Sequence, residues 1–141
     1  MATVKHTNWL QLMLGAAGTT GTLPDLDTDN IDASLLDQTD SGAITAATTD
    51  YDDVDAPTVV ATANVTVASI TAGVVTLSGA VTFTAVTGDA ADYLTVWKNS
   101  GTPSTSPLII TWDSASTGLP VTPNGGDITA TWTTNILVTL S

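Results

Sequence analysis

The chain has 141 residues, and its 14 acidic side chains, all aspartate, face two lysines and no arginine or glutamate, for a formal net charge of −12. This length leaves no room for a second large domain, and so few cations exclude binding to phosphate backbones or anionic lipid. The absence of cysteine excludes a disulfide framework, a zinc-thiolate site and a cysteine nucleophile.

Long charged side chains that populate helix faces are nearly missing, whereas Thr, Val, Ala and Gly abound and suit pleated or turning backbone. The expected fold is mainly β, an antiparallel β-sandwich or barrel with an extended N-terminal arm and a short helix. Charge divides the chain near Pro57: residues 1–55 hold ten of the 14 Asp, and residues 56–141 hold four. The organisation read from this is an acidic arm with one strand over residues 1–56 and an antiparallel β domain over residues 57–141 that folds without the arm.

In chain order, residues 8–14 can make about two turns of helix before Gly15, Gly18 and Gly21 open the backbone. The run Trp9 to Ala17 echoes an export signal only superficially, because Gln11 interrupts its apolar core and the flanking charge is slight. No apolar run approaches the length of a membrane-spanning helix. Residues 23–29 read as a turn-rich link, 31–36 as a short strand, and 37–56 as a long exposed loop with a brief strand at 43–48. Six Val/Ile/Thr-rich runs follow at the spacing of a sandwich or barrel: 58–67, 74–77, 81–86, 93–98, 108–112 and 128–140. In the last, Ile128, Ala130, Trp132, Thr134, Ile136, Val138 and Leu140 share the parity expected to be buried. Leu137 breaks the polar parity and Asn135 marks a bulge or turn, so this run can also be two strands.

Asp25, Asp27 and Asp29 are spaced as in the opening of a calcium loop, but Asn30 and Leu36 stand where such a loop needs Gly and a bidentate Glu. The favoured reading is an exposed link whose aspartates cap turns. Asp50, Asp52, Asp53 and Asp55 can bind a cation or dock on a cationic neighbour, with a solvated, self-repelling loop as the favoured alternative. His6, the only histidine, has no recommended Ser or Asp partner, and no Gly-x-Ser-x-Gly elbow occurs. The strand tryptophans Trp97, Trp112 and Trp132 can stack on sugar, though core or interface packing is the commoner use. No catalytic, cofactor-binding or metal-binding residue is assigned, and no cofactor is expected.

Three stretches carry a family resemblance. Lys98-Asn99-Ser100-Gly101-Thr102 leads into Thr105-Ser106-Pro107-Leu108-Ile109. After Trp112 comes Gly118-Leu119-Pro120-Val121-Thr122-Pro123-Asn124-Gly125-Gly126-Asp127-Ile128-Thr129, closed by Trp132, and the strand Val81 to Val86 precedes both. Over roughly residues 80–132 this resembles a segment shared by small virion structural proteins of tailed bacteriophages, similar to capsid decoration, or cement, proteins. The chain departs from that pattern at Thr133 to Leu137, where the group has a more polar, Asn-Gly-containing turn.

The resemblance implies a non-enzymatic protein of the phage head that binds and stabilises the lattice of major capsid protein. It implies a homo-oligomer, for which symmetry allows a trimer about a local threefold axis. In this reading the acidic arm lies across subunit seams as a clamp, and neither nucleic acid nor membrane is a partner. A tail or head-tail junction component is the alternative from the same particle. A glycan-binding adhesin using the strand tryptophans is the alternative from another class.

Overall fold

A computed structural model describes residues 3–6, 25–37, 44–45, 47–54, 59–113 and 118–139. The fold is mainly β and every strand pairing is antiparallel. A five-stranded sheet has the order β1-β8-β7-β2-β3, built from β1 (Thr3–Lys5), β2 (Ile31–Leu36), β3 (Val59–Val65), β7 (Tyr93–Lys98) and β8 (Leu108–Trp112). A three-stranded sheet has the order β10-β5-β4, from β4 (Val67–Thr71), β5 (Val74–Leu77) and β10 (Ile136–Thr139). β6 (Val81–Phe83) pairs with β9 (Ile128–Ala130).

These sheets close over one main core, in a sandwich-like arrangement. Ile31, Ala33 and Leu35 of β2 and Leu94 and Val96 of β7 meet Val75 and Leu77 of β5, Phe83 of β6 and Leu137 of β10. Alternation along β2 and β7 sends the other residues through the sheet, where Leu36, Tyr93 and Trp97 join Leu108, Ile44, Tyr51 and Val54 in a second core. All six residues of β2 and all six of β7 are therefore buried. Such strands read as continuous runs, because neither face meets water.

The division at Pro57 is a boundary of charge and not of packing. β2 runs between β3 and β7 along its whole length, with Ile31 opposite both Val65 and Lys98. The segment 57–141 on its own lacks this interior strand, which the expectation of an independently folding β domain did not include. The loop expected to be exposed over 37–56 is also corrected in part: Ile44, Asp50, Tyr51 and Val54 are buried, and Tyr51–Asp53 forms a 3-10 turn. Residues 44, 45, 47 and 48 are not in a strand. The helix expected at 8–14 lies outside the described residues.

In the segment 57–141 the expected runs at 74–77, 93–98 and 108–112 have the observed bounds. The run 58–67 is instead β3 followed by a change of sheet at Thr66, and β4 then turns back into β5 through Ala72 (φ 51°) and Gly73 (φ 78°). Two consecutive left-handed residues suit the twist of a two-residue hairpin. The run 128–140 is two strands. Between them Thr134 (φ 55°) and Asn135 (φ 56°) reverse the phase, so Leu137 is buried while Ile136 is 37% exposed. The single buried parity expected along this run therefore holds only up to Trp132.

Candidate interaction surface

The acidic segment is bound to the back of the five-stranded sheet by specific contacts. Beside β8, β1 covers residues 110–112, and the chain at 49–51 takes over along residues 106–108: Leu108 N–H donates to Thr49 O (3.0 Å) and Tyr51 N–H to Ser106 O (2.8 Å). The Tyr51 ring stacks on Trp97 with centroids 3.6 Å apart and planes 7° from parallel. Ser34 Oγ sits beneath this stack, accepting from Trp97 Nε1–H (3.0 Å) and bonded to the hydroxyls of Tyr51 (2.9 Å) and Thr62 (2.8 Å). One serine in a fully buried strand thus serves three partners that come from three other segments.

His6 closes the seam where β1 ends. It is fully buried, and because the carbonyl of Thr48 can only accept, Nδ1 carries the proton and donates to Thr48 O at 2.9 Å. Nε2 then accepts from Thr111 Oγ1 (2.7 Å), which in turn accepts from Thr95 Oγ1 (2.8 Å). Desolvation by burial lowers the His6 pKa to about 4 against the opposing pull of the Thr48 and Thr45 backbone. The lone histidine is therefore a neutral structural tie between β1, the acidic segment and β8.

Three aspartates of the two acidic clusters are similarly employed. Asp29 accepts from the Asp25 N–H (2.7 Å) and pairs with Lys98 Nζ (2.7 Å), while Asp25 accepts from the Asp27 N–H (3.2 Å). Burial raises the Asp29 pKa, but the Lys98 and Asp25 contacts outweigh it and hold the carboxyl below its usual range. Asp53 accepts from the N–H groups of Thr49 (3.0 Å) and Asp50 (3.2 Å) and from the Thr49 hydroxyl (3.2 Å); these contacts outweigh its desolvation and lower its pKa. Turn capping thus employs Asp25 and Asp29 in the first motif and Asp53 in the second. Among the described residues no group of three or more His, Cys, Asp or Glu is placed to hold a metal ion.

The residues that carry the family resemblance are likewise used within the fold. Gly101 (φ 84°) permits the turn in which its N–H donates to Asn99 Oδ1 (2.9 Å), leaving Asn99 Nδ2 to donate to Asp32 Oδ2 (2.7 Å). Val121 exchanges backbone bonds with Ala91, Gly125 N–H donates to Val86 O (2.8 Å), and Asp127 Oδ1 accepts from Ala85 N–H (2.9 Å). Trp97 is buried against Tyr51, whereas Trp112 and Trp132 lie on the opposite side of the sheet, packed edge to face 5.7 Å apart. The three do not form one aromatic platform for a sugar.

Charge is segregated to a degree that the overall count hides. No charged residue occurs between Asp55 and Asp89, and β3, β4, β5, β6, β8, β9 and β10 carry none. The three-stranded sheet is consequently neutral throughout. Its strand β4 is an edge, with residues 68–71 exposed and Ile70 48% exposed. An uncharged edge without proline offers backbone donors and acceptors to another strand. Sequence reasoning missed this surface because the expected run 58–67 ends at Val67, where β4 begins, and residues 68–70 fall in no expected element.

A scan against models of protein families finds no match for the chain, and a search of curated proteins finds none either. Among the described residues no helix is long and apolar enough to cross a membrane.

Proposed function

We propose that this chain is a non-enzymatic virion structural protein of a tailed bacteriophage, a decoration protein that binds the major capsid protein lattice on the phage head and stabilises it. Two features support the reading. The run that resembles phage virion proteins builds β6, β7, β8 and β9, so the likeness covers scaffold and not an appendage. The observation that carries most weight is the segregation of charge, which leaves the three-stranded sheet neutral and ends it, among the described strands, in the unpaired edge β4. Such a sheet suits burial against protein, while the aspartates elsewhere keep the free molecule soluble.

The clamp of this function is not the whole of residues 1–56, since β2 and the segment 44–54 belong to the body. Adhesion by the body's own neutral surface replaces it. The test is to mix the purified protein with expanded, undecorated capsids and measure co-sedimentation against added protein. Saturable binding at a fixed ratio to the shell subunit supports decoration, and labelled protein confined to one vertex would instead assign it to the head-tail junction. Failure to bind any capsid would overturn the reading.

A further inference from the structure

We infer that the outer edge of β4, together with the cleft at its start, takes an extended segment of the shell subunit that carries a lysine or arginine, the partner's identity resting on the decoration reading and its chemistry on the edge and cleft themselves. The other described outer strands are protected. β1 is three residues long and bears Lys5, whose Nζ donates to Thr139 O of β10 at 2.9 Å. β3 has β6 packed beside it, and β6 and β9 are three residues each. Short strands, lysines and covering elements are the usual means of blocking an edge.

β4 has none of these devices. Its residues Val67-Ala68-Ser69-Ile70-Thr71 include no charge and no proline, and among the described strands only β5 pairs with it. Thr71 and Val74 close the two-residue turn of the β4–β5 hairpin, so alternation along the ladder directs the N–H and C=O of Ile70 away from β5. The Ile70 side chain lies opposite Val75, a core residue, yet is itself 48% exposed. A strand laid along this edge extends the backbone ladder and covers that side chain together.

The start of the edge sets the charge of the occupant. A cleft of about 330 Å³ opens there, its lining including Asn64, Thr66 and Val67 as well as Asp27, Asp29 and Asn30. Asp29 is paired with Lys98 and Asp25 accepts from the Asp27 N–H, but the Asp27 carboxylate is exposed and bonded to no described residue. Three carboxylates against one ammonium leave this corner negative. Among the described residues no group of three or more His, Cys, Asp or Glu is placed to hold a metal ion, so the cleft suits a cation that brings its own hydrogen-bond donors, an ammonium or guanidinium.

This chain does not supply that cation. It has two lysines, and both are engaged, Lys98 with Asp29 and Lys5 with Thr139 O. A second copy, also at a net charge of −12, would set aspartates against aspartates. The complementary segment is therefore foreign and uncharged along most of its length, with an apolar side chain beside Ile70 and a Lys or Arg past Val67.

Co-sedimentation of the whole chain with expanded, undecorated capsids over a range of salt concentrations tests the docking, together with hydrogen exchange of the shell-bound protein. The wild type is expected to bind less tightly as salt rises and to gain protection at the Ile70 amide on the shell. Asp27→Asn is expected to weaken binding about tenfold at low salt and to flatten the salt dependence. Ile70→Lys is expected to abolish binding with unchanged circular dichroism, and Thr71→Lys, at an exposed position, is the second variant should the first perturb folding. Asp52→Asn, exposed in the other acidic cluster, is expected to leave binding unchanged. Capsid binding that either Asp27→Asn or a folded lysine variant leaves intact, or that Asp52→Asn weakens as much as Asp27→Asn does, would overturn the inference while decoration stands. A wild type that ignores capsids would remove the decoration reading and this partner with it.

Discussion

The five-stranded sheet and the three-stranded sheet share one core but differ in what lies on their other faces. Behind the five-stranded sheet lies a second layer of side chains, with Tyr51 on Trp97 and His6 between Thr48 and Thr111, so its central strands are buried twice. Behind the three-stranded sheet, Ser69, Thr71, Thr76 and Ile136 share a face over which the described residues build no second core. Small hydroxyl-bearing and β-branched residues tolerate either water or a protein neighbour there, whereas the doubly buried sheet tolerates neither loss nor insertion. The comparison teaches that the acidic segment is structural and that the neutral layer is where the molecule has surface to spare.

The severest way to break this contrast is to remove residues 1–56. β2 contributes hydrogen bonds to both neighbours and places Ile31, Ala33 and Leu35 in the main core. Loss of a central strand with three core side chains exceeds the whole stability of an ordinary domain, typically about 5–15 kcal/mol. The fragment 57–141 is expected to give amide resonances without dispersion, and a folded spectrum would show that β3 and β7 can pair without β2.

Acid probes the seam next. The His6 pKa falls from 6.5 in the unfolded chain to about 4 in the fold. Between these values the unfolded state binds more protons, so stability is complete above pH 6.5 and declines as pH drops toward 4. The depression corresponds to about 3 kcal/mol in total. Urea midpoints measured from pH 7 to 4.5 should therefore fall for the wild type and stay nearly level in His6→Gln, whose amide can donate to Thr48 and accept from Thr111. Equal slopes in the two proteins would mean that His6 is not buried neutral. Asp29 and Asp53, with lowered pKa values, lose their contribution at more acidic pH and do not distort this window.

A finer probe of the same layer is Tyr51→Phe, which retains the ring stack on Trp97 and deletes only the hydroxyl at Ser34. Ser34 keeps Thr62 and Trp97 as partners, so the expected cost is about 1 kcal/mol by chemical denaturation. A loss several times larger would indicate that the acidic cover unfolds as a unit once that bond is gone.

Legibility in the sequence followed the same division. β2, β5, β7 and β8 were readable with their bounds because each is a run of apolar and β-branched residues between turn formers. The cover was not, since four aspartates between residues 50 and 55 outweigh Tyr51 and Val54 in any local average, and only the cluster of Leu36, Tyr93, Trp97 and Leu108 across the fold gives those two side chains a place to go. His6 was unreadable for a related reason: its partners are 42 and 105 residues away. The switch of sheets at Thr66 leaves no mark either, because Val65-Thr66-Val67 alternates as smoothly as a single strand. As for the interaction surface, its neutrality was visible in the sequence, but its being an edge depends on strand order.

The smallest expected effect belongs to the neutral layer and decides between two phases of one strand. Parity along residues 128–140 buries Ile136 and exposes Leu137, whereas the left-handed pair Thr134 and Asn135 exchanges them. Ile136→Thr keeps the β-branched shape and faces solvent beside Thr76, so it should move the unfolding free energy by less than about 0.5 kcal/mol. Leu137→Ala, one position along, should cost about 2–5 kcal/mol because the side chain fills the main core. A reversed order would restore the single parity, place Leu137 on the outer face of the three-stranded sheet, and make that face a more apolar docking surface than the hydroxyl-rich one described. With the expected order, the outer face stays open to a partner without an apolar penalty while free.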